Sequence, residues 1–123
     1  MGTVLIVDDN ADAARPLAVL MRHMGHQGLY FDSGEKALGF IKDTLPDLIV
    51  LDAMMPGMDG IEVLRRVRSD PRSAGVPVVM FSAIGEAAYQ AHARRHGAND
   101  YWVKASLSLE DLRQKVSGYL DRS

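Results

Sequence analysis

The sequence predicts an α/β fold, a three-layer sandwich in which five helices cover the two faces of a five-stranded parallel sheet. Short apolar runs alternate with segments whose apolar residues recur at helical spacing, which is the pattern of repeated strand–helix units. The run Leu48–Leu51 is too short for a helix and suits a strand buried on both faces. It ends at Asp52, and the turn dipeptides Pro56-Gly57 and Asp59-Gly60 follow. Asp52 is therefore predicted at the carboxyl end of a central strand, where open α/β sheets bind ligands.

Composition and length indicate one ordinary globular domain. The chain has 123 residues, of which 47% are hydrophobic and 24% are charged. A formal net charge of −2 argues against a general affinity for nucleic acid, and no apolar run is long enough to span a bilayer. The absence of cysteine excludes disulfides and cysteine-ligated metals. We therefore expect a single cytoplasmic domain, residues 1–123, with no output domain and no direct binding to nucleic acid or membrane.

The first two strands follow from apolar runs. Thr3–Val7 predicts the first strand, and Gly28–Phe31 predicts the second. Gly25 is predicted to end the helix between them. Pro16 lies inside that helix, where a proline costs roughly 3 kcal/mol. We expect either a late helix start near Arg15 or a local kink.

Capping patterns predict the starts of later helices. Asp32 with Glu35 can form a capping box for the second helix, which runs toward Thr44. Asp59 and Glu62 repeat this spacing before the third helix. The remaining predicted elements are the strand Pro77–Phe81 ending at Ser82, the helix Glu86–His96, the strand Tyr101–Val103 ending at Lys104, and a last helix capped by Ser108 and Asp111.

The first, third and fourth strands are the most apolar and are expected at the centre of the sheet. This gives the strand order 2-1-3-4-5, which is that of flavodoxin-like folds, with the topological switch point between the first and third strands. Asp8 and Asp9, which follow the first strand, are then expected beside Asp52. Ser82 and Lys104 follow the neighbouring strands at the same edge.

These side chains suit phosphoryl transfer. Clustered carboxylates raise one another's pKa unless a cation lies among them, and Mg²⁺ is the hard cation that keeps positions for water and phosphate. Aspartate can attack phosphorus and form an acyl phosphate. The metal, a hydroxyl and an ammonium group would then neutralise a phosphoryl group carried on Asp52.

Four motifs carry a resemblance to a known family. They are VDD at Val7–Asp9, LDAMMPGMDG from Leu51, FSA around Ser82, and GANDYWVK ending at Lys104. In this order, each at a predicted strand end, they resemble the receiver domains of two-component response regulators over nearly the whole chain. The resemblance implies a phosphorelay component, a signalling switch that assists only its own phosphorylation and dephosphorylation and is not otherwise an enzyme.

The resemblance also implies site residues and partners. The site residues are Asp52 as phosphoacceptor, Ser82 and Lys104 on the phosphoryl oxygens, Tyr101 as the aromatic that changes rotamer with Ser82, and, for Mg²⁺, Asp8, Asp9 (directly), Asp52 and the main-chain carbonyl of Met54. The implied phosphoryl donor is a histidine kinase or a histidine phosphotransfer protein. The implied output is a downstream protein target or output domain, contacted through the fourth helix, fifth strand and fifth helix.

The last strand and the residue after its lysine allow two further predictions. Trp102 is expected to face away from Tyr101 and to pack against the first or last helix. In receiver domains, a proline with a cis peptide bond usually comes directly after the lysine, whereas this chain has Ala105 at that position. A cis bond before a residue other than proline costs roughly 2.5–4 kcal/mol, so a trans Lys104–Ala105 bond is predicted.

Other functions fit less well. The loop DDNAD after the first strand would repel the phosphate of a flavin mononucleotide, and the P-loop pattern GxxxxGK[ST] is absent. A haloacid dehalogenase-type hydrolase would need a second aspartate where Met54 stands. The alternative that stays open is a degenerate receiver that acts as a phosphorylation-independent interaction module.

Two remaining patterns are interpreted as solvated helix faces. His92 and His96 have a spacing that can bind zinc, but no third ligand accompanies them. A run of arginines has the same interpretation; it comprises Arg65, Arg66, Arg68 and Arg72.

Overall fold

The computed structural model describes residues 2–120 and has the predicted flavodoxin-like fold, a parallel sheet between two layers of helices. The strands are β1 (Thr3–Val7), β2 (Gln27–Phe31), β3 (Leu48–Leu51), β4 (Val78–Ser82) and β5 (Asp100–Val103). The helices are α1 (Ala11–His23), α2 (Gly34–Asp43), α3 (Gly60–Ser69), α4 (Ala87–Arg95) and α5 (Leu109–Leu120), with a 3₁₀ turn at Lys104–Ser106. The strand order β2-β1-β3-β4-β5 confirms the prediction.

The sheet is buried on both faces because successive residues of a strand point to opposite sides. On β1, Leu5 and Val7 belong to the core layer that contains α2, α3 and α4. Val4 and Ile6 belong to the layer that contains α1 and α5. Every residue of β3 is at most 1% exposed, which explains why this strand is apolar throughout.

The last strand has the predicted facing. Tyr101 packs in the layer of α2, α3 and α4, and Trp102 packs in the layer of α1 and α5. The indole of Trp102 is 1% exposed, and its Nε1–H donates to Asp100 Oδ2 at 2.9 Å. Its ring centroid lies 6.4 Å from that of Tyr119 on α5.

The first helix begins earlier than the proline suggested. Asn10 is its N-cap, and its side-chain oxygen accepts a hydrogen bond from the amide of Asp12. The Asn10 carbonyl also accepts from Ala13 and Ala14, so the first turn is complete before Pro16. The prediction of a late start near Arg15 is therefore wrong, and the alternative of a local kink stays a prediction.

The second helix is capped by Ser33 rather than by the predicted Asp32. Ser33 Oγ accepts from the amide of Lys36 at 3.2 Å, because Ser33 directly precedes the first helical residue. Asp32 instead forms an ion pair with Lys36 Nζ at 2.9 Å. The capping box of Asp32 and Glu35 was therefore placed one residue too early.

The other two caps are confirmed. Asp59 Oδ1 accepts from the amide of Glu62 at 2.9 Å, at the start of α3. At the start of α5, Ser108 Oγ accepts from the amide of Asp111, and Asp111 Oδ2 accepts from the amide of Ser108. Gly25 follows α1 with φ +88°, in the left-handed region expected of a residue that ends a helix.

The chain after β5 follows a trans route. None of the peptide bonds that the structure describes is cis, so the prediction for Lys104–Ala105 is confirmed. The chain turns immediately into the 3₁₀ segment and continues through Leu107 to α5. Between residues 2 and 120, no helix combines the length and the apolar character that a membrane span requires.

Candidate functional site

Three carboxylates meet where β1 and β3 end. Val7 pairs with Leu51 at the end of both strands, so Asp8 and Asp52 leave the sheet at the same level. Asp9 follows, and one carboxylate oxygen from each of the three aspartates lies within 4.8 Å of the others. Asp8 and Asp52 are 3% and 7% exposed, whereas Asp9 is open to solvent. The structure thus brings together the three aspartates that the sequence predicted.

The ammonium group of Lys104 lies against this cluster. Its Nζ is 2.7 Å from Asp8 Oδ2 and 3.9 Å from Asp52 Oδ1, which makes Asp8 its closer partner. Asp8 Oδ1 also accepts a hydrogen bond from the amide of Asn10 at 2.9 Å. Nζ lies 5.5 Å from the ring centroid of Phe81, the residue before the end of β4.

The electrostatic state of Asp52 reflects these neighbours. Burial and the negative charge of Asp8 raise the pKa of Asp52 to about 6, from an ordinary value of 3.8, although Lys104 opposes the shift. The cluster therefore carries more negative charge than a single lysine compensates. A further cation among the carboxylates would relieve the repulsion between Asp8 and Asp52.

Ser82 is the last residue of β4, and Tyr101 lies in the neighbouring strand β5. Ser82 is 1% exposed, and its Oγ accepts a hydrogen bond from the amide of Ile84 at 3.1 Å. The hydroxyl of Tyr101 donates to the Ile84 carbonyl at 2.7 Å. Burial raises the pKa of Tyr101, and a hydrogen bond with Ser82 opposes that rise. The ring of Tyr101 is 6% exposed and therefore already packs inside the protein.

Comparison with known proteins identifies the arrangement. The family model of the response regulator receiver domain matches residues 4–117. The chain belongs to this family. Receiver domains are the signalling switches of two-component systems, and the acidic cluster of this chain is consistent with a metal and phosphoaspartate site.

Curated relatives and solved structures agree with the family match. The phosphate regulon transcriptional regulatory protein PhoB of Pseudomonas aeruginosa is 38% identical over 98% of this chain and 52% of its own length. The DNA-binding response regulator MtrA of Mycobacterium tuberculosis is 38% identical over 98% of this chain and 51% of its own length. The chain thus spans about half the length of these relatives.

Solved receiver structures share the fold. A Francisella response regulator receiver domain superposes with a TM-score of 0.89 at 28% identity, covering 99% of this chain and 98% of that one. The N-terminal domain of a response regulator receiver protein from Methanoculleus marisnigri gives 0.78 at 30% identity, covering 100% and 99%.

The carboxylates of this receiver domain fit a hard divalent cation. Asp8, Asp9 and Asp52 offer oxygen ligands within a few ångströms, as Mg²⁺ prefers. Met54 lies at the rim, with a 60% exposed side chain, and its amide is 3.5 Å from Asp52 Oδ1. The role of the Met54 carbonyl as a metal ligand stays a prediction.

The receiver domain also depends on a residue whose role the sequence analysis did not assign. A Cβ atom on Gly60 would lie 2.1 Å from the carbonyl oxygen of Asp52 and 2.9 Å from Cα of Ala53. The amide of Gly60 donates to the Ala53 carbonyl at 3.0 Å. Glycine is therefore required where α3 begins against the backbone of Asp52 and Ala53. The Asp59-Gly60 pair predicts a turn, but the sequence does not show that Gly60 lies against the backbone of Asp52 and Ala53.

The arginine run divides into two kinds of residue. Arg65 and Arg66 are exposed and pair with Glu62, as a solvated face predicts. Arg68 does not fit that interpretation. Its guanidinium donates to Asn99 Oδ1 and to the carbonyls of Ala74, Val76 and Gly97, which ties α3 to the loops that precede β4 and β5. The prediction of a solvated residue is wrong for Arg68 because its long side chain reaches loop carbonyls that the sequence does not place nearby.

The histidine pair of α4 has no complete ligand set. The ring centroids of His92 and His96 are 4.6 Å apart. Among the described residues, the only group of three or more metal-binding side chains is the aspartate cluster.

Proposed function

We propose that Asp52 accepts a phosphoryl group, with Mg²⁺ bound, from a histidine kinase or a histidine phosphotransfer protein. The observation that carries the proposal is the cluster of Asp8, Asp9 and Asp52 within 4.8 Å, with Lys104 Nζ against both buried carboxylates. Family membership supports it, because receiver domains take part in phosphorelay signalling.

In the proposed reaction, a carboxylate oxygen of Asp52 attacks the phosphorus of a phosphohistidine. The P–O bond forms as the P–N bond breaks, and the electron pair remains on the imidazole nitrogen, which takes a proton from solvent. Mg²⁺, held by Asp8, Asp9, Asp52 and the Met54 carbonyl, would supply positive charge to the phosphoryl oxygens. Lys104 and the hydroxyl of Ser82 bind those oxygens, and Lys104 exchanges its contact with Asp8 for one with the phosphoryl group.

The raised pKa of Asp52 gives the cation a second role. The attacking group must be the carboxylate, and burial beside Asp8 disfavours that charged form. Positive charge bound between the two carboxylates would lower the pKa of Asp52 and so increase the ionised fraction of the nucleophile near pH 6. The chain thereby assists its own phosphorylation and dephosphorylation without acting on an external substrate.

The proposed output is a change of the surface formed by α4, β5 and α5, which a downstream protein or an output domain contacts. Ser82 moves toward the phosphoryl group, and Tyr101 adjusts beside it. We place this switch in the cytoplasm, without direct binding to nucleic acid or membrane, and we propose that residues 1–123 form one domain whose output belongs to a partner or another domain.

One observation favours a second candidate function. Tyr101 is buried, and its hydroxyl donates to the Ile84 carbonyl at 2.7 Å. A receiver locked in this state would act as a phosphorylation-independent interaction module. Retention of all three aspartates and of Lys104 supports the first candidate over the second.

Intact-mass measurement with acetyl phosphate tests the proposal. Wild type is expected to gain one phosphoryl group only when Mg²⁺ is present, and Asp52→Asn is expected to gain none. Asp43→Asn, at an exposed carboxylate of α2, is the control and should behave as wild type. Equal labelling of wild type and Asp52→Asn would contradict the assignment, and no labelling of either would favour the interaction module.

A further inference from the structure

An open groove lies between α3 and α4, apart from the aspartate cluster. Two adjoining cavities of about 420 Å³ and 440 Å³ form it, and Glu62 and Arg65 line both. One cavity extends to His96, and the other extends to Asp59 and Tyr89, so a second carboxylate lines the groove beside that of Glu62. The groove therefore runs from the loop after β3 to the end of α4.

The two helices that flank this groove differ in charge from the rest of the chain. α3 and α4 together contain five arginines and a single glutamate, which gives a net charge of +4. The whole chain has a formal net charge of −2, so the residues outside these helices carry a net charge of −6. In the lining of the groove itself, Arg65, Arg66 and Arg68 are accompanied by Glu62 and Asp59, so these residues carry a net charge of +1.

Part of the positive charge in the groove is available to a ligand. Arg65 and Arg66 both pair with Glu62, so two guanidinium groups share one carboxylate. Both arginines are exposed, and a planar guanidinium has further N–H donors for a second carboxylate. Arg68, by contrast, is occupied by backbone carbonyls and by Asn99.

The opposite wall of the groove is aromatic. Tyr89 and His92 lie on successive turns of α4, with ring centroids 6.1 Å apart in an edge-to-face arrangement, and His92 makes a second edge-to-face contact with His96. The ring of Tyr89 also lies 6.2 Å from that of Tyr101. A ligand in the groove would therefore contact a side chain that packs directly on the buried tyrosine of β5.

We propose that this groove binds an acidic segment of a partner protein. Carboxylates of the segment contact Arg65 and Arg66, and an apolar or aromatic side chain packs against Tyr89 and His92. The two adjoining cavities, of about 420 Å³ and 440 Å³, are each larger than a single side chain and suit a short peptide segment. A nucleic acid fits less well, because a long polyanion would also approach the acidic remainder of the chain. The proposal stands independently of phosphorylation at Asp52, and it uses the flank of α4 that faces α3, away from the proposed output surface.

Selection from a random dodecapeptide phage library on the wild-type protein tests this inference. The selected peptides are expected to contain more aspartate and glutamate than the unselected library. A fluorescein-labelled consensus peptide is then titrated by anisotropy against wild type and two variants. The groove variant is Arg65→Gln/Arg66→Gln, and the matched control is Arg113→Gln/Lys115→Gln, which removes the same charge from exposed positions of α5.

The groove variant is expected to bind the consensus peptide at least about tenfold more weakly than wild type, because it loses charge-assisted hydrogen bonds. The affinity of the α5 control should stay within about twofold of wild type. Circular dichroism of both variants checks that the fold is kept. Selection without acidic enrichment, or equal loss in both variants, would overturn the proposal. It would also be overturned if a labelled DNA duplex bound with the same arginine dependence, or if the wild type self-associated through these arginines.

Discussion

Asp52 combines two properties that oppose each other in the absence of a metal. It must be ionised to act as a nucleophile, yet burial and Asp8 raise its pKa to about 6. The pKa in the folded state thus lies above the ordinary value of 3.8, so the charged form is less favourable in the folded chain than in the unfolded one. This electrostatic cost is absent below about pH 4 and is complete above about pH 6.

Asp52→Asn is therefore expected to stabilise the metal-free protein at neutral pH. The gain in the free energy of unfolding should be about 1–2 kcal/mol after allowance for solvent screening, and it should disappear as the pH falls toward about 4. Urea unfolding across this pH range, with a chelator present, measures the difference. Asp9→Asn, at the exposed carboxylate, should gain less; a gain for Asp52→Asn that does not depend on pH would contradict the electrostatic origin.

We expect the lifetime of a phosphoryl group on Asp52 to depend on two apolar residues near the site. Met54 and Ile84 lie two positions after Asp52 and Ser82, and neither can orient an attacking water. Met54→Asn/Ile84→Glu is expected to shorten the lifetime about tenfold, because the new polar groups can position that water. Decay of the phosphorylated form, followed by intact mass, gives the rate.

The matched control makes the same chemical changes far from the site. Val19 and Leu109 are exposed apolar residues on α1 and α5, 46% and 60% exposed. Val19→Asn/Leu109→Glu should leave the lifetime unchanged. If both double variants decayed at the wild-type rate, the role assigned to Met54 and Ile84 would be wrong.

At the scale of elements, the position of Asp52 depends on how closely α3 approaches the end of β3. Only a residue without a Cβ fits at position 60, because the nearest atoms belong to the backbone of Asp52 and Ala53 and cannot move aside alone. The loop between β3 and α3 is therefore fixed at both ends, by the strand pairing and by this contact.

Gly60→Ala is expected to lower the free energy of unfolding by about 1–3 kcal/mol or more and to reduce phosphorylation, since the added methyl displaces the phosphoacceptor segment. Gly39→Ala is the matched control, because no atom lies within 4 Å of the added Cβ in α2. It should stabilise the protein by up to about 1 kcal/mol. Urea unfolding and the acetyl phosphate assay measure both effects, and equal responses of the two variants would refute the steric argument.

Element boundaries show where sequence patterns are sufficient. Asp59 and Ser108 cap their helices as predicted, because a polar side chain directly before an apolar periodic segment has few other roles. The errors at Asp32 and near Arg15 have a different cause. Asp32 and Ser33 are both good caps, and only the geometry of the first turn decides between them. Pro16 is the sixth residue of α1, where it removes one i→i−4 hydrogen bond, and the helix still forms because Asn10 caps its start and its apolar face is buried against the sheet.

At the scale of the whole molecule, the sheet separates Tyr101 from Trp102, its neighbour in β5. Trp102 packs with α1 and α5, while Tyr101 lies on the other face near Ser82. The indole N–H of Trp102 donates to Asp100, and Trp102 does not pack against the aspartate cluster. A change at Tyr101 should therefore reach Trp102 weakly.

Tryptophan fluorescence is accordingly expected to change little when Asp52 is phosphorylated or when beryllofluoride is added with Mg²⁺. Trp102 is the sole tryptophan, so the emission spectrum reports this environment alone. Mass spectrometry of the same sample confirms that the phosphoryl group is present. A large shift in emission would show that activation rearranges the layer of α1 and α5.

The sequence is sufficient for the fold and for the residues of the candidate site because both depend on strand ends. Apolar runs locate the strands, and polar residues that interrupt them, such as Asp52 and Lys104, stand out against that pattern. The sequence is not sufficient to predict contacts between segments that are distant along the chain. The preference of Lys104 for Asp8, the close approach of Gly60 and the anchoring of Arg68 depend on side-chain reach and helix spacing, which no local pattern encodes.

The alternating burial of the central strands also determines how the protein comes apart. Leu5 and Val7 support one core layer, and Val4 and Ile6 support the other, so alternate residues of the same strand serve both. Loss of either helical layer would expose one face of every central strand to water, and the remaining layer would have no intact sheet to cover. Neither half of the sandwich is a separate folding unit. Unfolding is therefore expected to be a single cooperative transition, in which α1 and α5 are lost together with α2, α3 and α4.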